Sequence, residues 1–92
     1  MDLQNKQIVK LRNNTLGVVV TWGDKPSYIV ASTFVNTLDR WNDKGLRGKT
    51  NDVVQSKYDI VKVYDGSNVE KPTDVFKSSF KVDELPVIWE AK

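Results

Sequence analysis

The side chains best placed to do chemistry lie between Asp39 and Asp52, where Arg40, Lys44, Arg47 and Lys49 surround Trp41 and Leu46. Cations beside an aromatic ring suit a single nucleic-acid strand, because the cations hold phosphates while the ring stacks a base. The same residues, Arg40, Trp41, Lys44, Arg47 and Lys49, equally suit a surface for a protein partner. Asp39, Asp43 and Asp52 are interleaved with those cations and cancel much of their field, which is also the pattern of an ordinary solvated loop. Read as a magnesium site, the three acids lack the spacing of a calcium-type loop, and acids scattered among lysines commonly serve solubility. No glycine-rich phosphate loop, serine-centred elbow or paired-acid motif accompanies them. The sequence contains no histidine and no cysteine. It therefore lacks the usual zinc ligands, a thiolate nucleophile and the one side chain that titrates near neutrality without help. The expectation is a protein without catalysis, bound metal or cofactor.

The aromatic residues admit two readings. Trp22, Tyr28, Trp41, Tyr58 and Tyr64 are of the type that lines a groove for an extended or proline-rich chain. Placed in a small domain they are also its natural core, and Trp22 and Trp89 are expected there. Trp41, flanked by Arg40, Asn42 and Asp43, is predicted to face solvent.

With 92 residues there is room for a single domain, whose core rests on a few large side chains. Fourteen basic against twelve acidic residues give a formal net charge of +2, too small an excess to select nucleic acid. Residues Met1 to Lys6 lack the apolar run of a secretion signal, and no stretch approaches the length of a membrane span, so the expected compartment is a cytoplasm.

The elements that must position these side chains are mostly strands. Gln7 to Leu11 has a short β pattern, and Asn13, Asn14 and Thr15 form a tight hairpin connection, since asparagine tolerates positive φ. Leu16 to Trp22 alternates, with Leu16, Val18, Val20 and Trp22 on the face expected to be core. A turn from Gly23 to Pro26 leads into a strand over Ser27 to Ala31. Phe34, Val35, Leu38 and Trp41 fit helical spacing, yet a strand followed by a short turn after Thr37 is preferred, because Thr33, Asn36 and Asn42 are poor helix formers. Lys44 to Gln55 is expected to be an exposed loop. Tyr58 to Tyr64 is the clearest strand, with Tyr58, Ile60 and Tyr64 on one face and Val61 and Val63 on the other. Asp65 to Asn68 ends it as a turn, and Thr73 or Asp74 caps a helical turn through Lys77. Pro86, lacking an amide donor, opens a final edge strand over Val87 to Trp89. These pieces predict a mainly β, strongly bent antiparallel barrel of about five strands with one or two short helical turns, closed to protect its edges. The alternative is an α+β fold, one helix on an antiparallel sheet, if Ser32 to Asp43 is continuous helix.

Ile8 to Val19, Tyr58 to Tyr64 and Val87 to Glu90 together resemble small phage- or prophage-encoded proteins of uncharacterised function, and Phe34, Leu38, Trp41 and Leu46 share their spacing. Tyr-Asp-Ile-Val-Lys-Val-Tyr is the most specific part; Gly48 to Gln55 and Ser67 to Leu85 match less. The resemblance implies an SH3-like barrel and a phage or prophage origin, and supplies no site residues. The expected role is that of an accessory protein binding a host or phage protein in the bacterial cytoplasm. Alternatives are a nucleic-acid-binding accessory barrel and a structural virion component.

Overall fold

The computed structural model describes residues 3–22, 25–41, 45 and 57–91, without the side chains of residues 22, 25–27 and 39. Six strands run in the order β1 Ile8–Leu11, β2 Leu16–Trp22, β3 Lys25–Ala31, β4 Val35–Thr37, β5 Ile60–Tyr64 and β6 Val87–Glu90. Three 3-10 turns intervene: η1 Leu38–Arg40, η2 Pro72–Phe76 and η3 Val82–Glu84. The mainly β class with short helical turns is therefore as expected, and among the described residues there is no α-helix. Ser32 to Asp43, where an α+β fold would need a helix, instead holds β4 and η1 within its described part, with the Trp41 amide closing on the Leu38 carbonyl at 3.1 Å.

The strands form one antiparallel sheet in the order β4-β3-β2-β1-β5-β6. The expected closure is absent: the ends of the sheet, β4 and β6, do not pair among the described residues, so the sheet is open. Curvature comes instead from three bulges. Lys10 faces Lys62 while Leu11 faces Ile60, leaving Val61 as the extra residue. Ser27 is extra between β2 and β3, and Ile88 between β5 and β6. Each additional residue bends its strand and increases local twist.

The first bulge corrects the expected facing of β5. Strict alternation places Ile60 with Tyr64, but inserting Val61 resets the phase, so Ile60 packs with Val63 and Tyr64 points to the other side. Both faces of the sheet are covered. Val9, Val19, Ile29, Ile60 and Val63 form one core with Leu3, Leu11 and Trp41. Ile8, Val18 and Tyr64 form the other, beneath Val75 and the half-buried Leu16, Val20, Phe80 and Leu85. The face of β2 read as core is thus one of two, and Val19 on its reverse is at least as deeply buried as Val18.

Local chemistry explains the connections. At the β1–β2 hairpin Asn14 takes φ 69°, and the Asn13 side-chain oxygen accepts the Thr15 amide at 3.1 Å. After β5, Asp65 accepts the Ser67 amide at 2.9 Å, starting the turn its sequence predicted. Gly66 follows because a Cβ there would collide with the Lys6 carbonyl oxygen. η2 is not capped by Thr73 or Asp74: Lys71 precedes it and Pro72 occupies its start, where a fixed φ and a missing amide are both harmless.

Candidate functional site

The carbonyl of Tyr58, just before β5, accepts the indole N–H of Trp41 at 2.8 Å. The Trp41 ring lies 6.4 Å from that of Phe34, and Phe34 meets Tyr58 edge-on at 6.0 Å. These contacts bury Trp41 to 7% exposure, correcting the expectation that it faces solvent. The physical reason is that η1 ends in an extended residue turned toward the open side of the main core, where the large ring is dried and its single donor satisfied. Its polar sequence neighbours misled; its apolar spacing with Phe34 and Leu38, both packed against the same core, was the better signal.

Arg40, at the end of η1, is exposed. Lys44, Arg47 and Lys49 lie outside the described residues, as do Asp43, Asp52 and the side chain of Asp39. The structure therefore positions two of the five expected partner-binding residues, one on the surface and one in the core. Of the aromatic groove, Tyr64 is core, Tyr28 is half-buried and the side chain of Trp22 is outside the described part. Trp89 is half-buried against the main core. Tyr58 is 37% exposed, and the Lys57 ammonium sits 5.1 Å from its ring centre, a cation–π arrangement.

The polar pairings of two titratable residues were not read from the sequence. Asp59 is 1% exposed and accepts from Arg12 Nη2 at 3.3 Å, while its carbonyl takes the Arg12 amide at 2.8 Å. The pair joins positions 47 apart, beyond the reach of any local pattern. Tyr64 donates its hydroxyl to Asp83 at 3.4 Å. Burial, followed by the neighbouring negative charge of Asp83, the hydrogen bond to it and the more distant Glu90, pushes its pKa above 10.0.

Among the described residues no group of three acidic side chains is arranged to hold a metal ion. A shallow cleft of about 420 Å³ lies beside η2 and η3, where Phe80 and Leu85 floor a mixed rim of Asp74, Lys77, Lys81 and Glu84. Asp74 and Lys77 neutralise one another at 2.9 Å. The apolar residues that protrude most include Val35 on β4, at 60% exposure, and Val87 and Ile88 on β6, at 49% and 52%.

Fold and surface define a mainly β domain built on one open antiparallel sheet, with aliphatic side chains at its edges. Comparison with family models, with curated proteins and with solved structures finds no match to the chain. No helix among the described residues is long and apolar enough to cross a membrane.

Proposed function

We propose that this chain is a non-enzymatic accessory protein of phage or prophage origin that acts by binding a protein of the host or of the phage. The observation carrying this reading is the adjacent exposure of Val87 and Ile88 on the edge strand β6. Two aliphatic side chains held about half in water on a rigid strand are a contact surface for another protein rather than for a phosphate backbone. The bulge at Ile88 and the proline before Val87 blunt the edge as a template for strand addition, so recognition runs through these side chains. Of the cations read as partner contacts, Arg40 is exposed after β4, and Lys44, Arg47 and Lys49 lie outside the described residues. A sequence without histidine or cysteine agrees with binding in place of catalysis. The nucleic-acid alternative loses the stacking platform it rested on, because Trp41 lies in the core.

The test is capture from a lysate of the bacterium carrying the gene, with and without nuclease, using the native chain and an Ile88→Lys variant of equal melting temperature. One stoichiometric protein that survives nuclease and is lost with Ile88→Lys supports the proposal. Retention of that protein by the variant, or recovery of nuclease-sensitive material alone, refutes it. Assembly of the chain onto phage particles without a captured protein points to the virion role instead.

A further inference from the structure

Residues 66–85 leave the end of β5, cross one face of the sheet and return to β6. Backbone bonds hold every strand to its neighbour, but the bonds within this segment close only on themselves. Val69 bonds Gly66, Asp74 bonds Lys71, Lys77 bonds Asp74, Phe80 bonds Lys77, Glu84 bonds Lys81 and Leu85 bonds Val82, each spanning three residues. Among the described residues none of its amides or carbonyls bonds a strand. It is attached through side chains: Val75 is buried, Val69, Phe80, Val82 and Leu85 are half-buried, and the Tyr64–Asp83 hydrogen bond is long at 3.4 Å. A void of about 10 Å³ between Lys6, Ile8, Val18, Val69 and Val75 marks where the fit is incomplete.

The segment's stem is independent of that attachment. The Asp65 amide bonds the Pro86 carbonyl at 2.9 Å, so both ends stay fixed whether or not the middle is docked. The opposite face differs: Val9, Val19, Ile29, Ile60 and Val63 lie beneath Leu3 and Trp41, and these covering segments are bonded to the sheet. The Lys6 amide bonds the Val19 carbonyl, the Val19 amide bonds the Gln7 carbonyl and the Trp41 indole bonds the Tyr58 carbonyl, so exposing this core breaks hydrogen bonds as well as packing.

We propose that residues 66–85 are a strap that lifts from the sheet as a unit while the six strands remain paired, baring an apolar strip made by Ile8, Leu16, Val18 and Val20. Segments with few buried side chains and mostly local hydrogen bonds open at lower free energy than the whole fold. The strip is therefore exposed in a minor native population, through motion of an element that no strand pairing restrains.

Adjacent positions on β2 separate the two faces, and the chain has no cysteine of its own to interfere. Val18→Cys lies under the strap and Val19→Cys under the main core. Thiol labelling of Val18→Cys should be at least about tenfold faster and nearly independent of dilute denaturant, whereas Val19→Cys should follow global unfolding. Adding Val75→Ala should accelerate the first and leave the ratio of the second to global unfolding unchanged. Equal labelling rates with a common, steep denaturant dependence overturn the proposal. Hydrogen exchange of the unsubstituted chain decides the matter if either cysteine variant fails to fold. Amides of Phe80, Glu84 and Leu85 should exchange with a shallow denaturant dependence while strand amides follow complete unfolding, and one shared dependence for all of them refutes the strap.

Discussion

Replacing Trp41 by alanine separates a core ring from a surface ring by an energy large enough to measure without ambiguity. The ring is 7% exposed, packs on Phe34 and donates to the Tyr58 carbonyl at 2.8 Å. Truncating a buried tryptophan to alanine costs about 3–5 kcal/mol, through lost transfer energy and the cavity that remains. A domain of this size has a total stability of roughly 5–15 kcal/mol, so the variant sits near the edge of folding. At about 4–8 °C per kcal/mol, the melting temperature should fall by roughly 12 °C at least. Trp41→Phe keeps most of the volume and removes the hydrogen bond to the Tyr58 carbonyl, so it should cost about 0.5–1.5 kcal/mol. Exposed Arg40 is the internal control, and Arg40→Ala should stay within about 0.5 kcal/mol. Urea unfolding followed by far-ultraviolet circular dichroism, which does not depend on the tryptophan removed, gives all three values from midpoints at constant slope. If Trp41→Ala costs no more than Arg40→Ala, the ring is not in the core and η1 does not turn it there.

Tyr64 holds its proton more tightly when folded, so above about pH 10 the unfolded chain binds fewer protons than the native one and stability falls as pH rises. The decline should reach at most about 1.4 kcal/mol per pH unit from this residue and disappear in Tyr64→Phe, as read from denaturant midpoints between pH 9 and 11. Arg12→Ala leaves the Asp59 carboxylate 1% exposed without its guanidinium. Because Arg12 is itself partly solvated and the contact is 3.3 Å, the cost should fall between surface and buried pairs, about 1–3 kcal/mol, with Arg12→Lys recovering part of it in the same urea assay. Gly45 has φ +79°, and a Cβ there would stand 2.6 Å from the Ile60 carbonyl oxygen. Gly45→Ala should therefore lower the melting temperature by at least about 4 °C, equivalent to roughly 1 kcal/mol of strain.

Much of the sheet was legible because its signals are local. Leu16–Trp22 alternates and is flanked by turn residues, and it is observed with the expected bounds. The asparagine hairpin and the Asp65 turn follow from side chains that bond their own backbone two residues on. Misreadings arose where the deciding partner is remote. The facing of Ile60 depends on a bulge opposite Lys10 and Leu11, which β5 alone does not announce. Closure was inferred from the need to protect edges, but here β6 carries a proline-led start and a bulge that serve that need in an open sheet. Of the candidate site, Arg40 is on the surface and Lys44, Arg47 and Lys49 lie outside the described residues, while Trp41 was misplaced because its hydrogen-bond acceptor, Tyr58, is 17 residues away. The second core was hidden for another reason: 3-10 turns have neither the two-residue period of a strand nor a sustained helical one.

The position of β1 in the strand order has a consequence for how the chain assembles. Strands β1 to β4 are a meander of neighbours in sequence, whereas among the described residues β5 and β6 pair with it through β1. The molecule is thus a four-strand meander and a two-strand pair sharing one seam, pinned at its end by Arg12 and Asp59, 47 positions apart. Nucleation belongs to the first half, whose contacts are short-range, and the late step is docking of the second against a waiting edge. The same seam makes the protein a natural candidate for division into two polypeptides that complement one another.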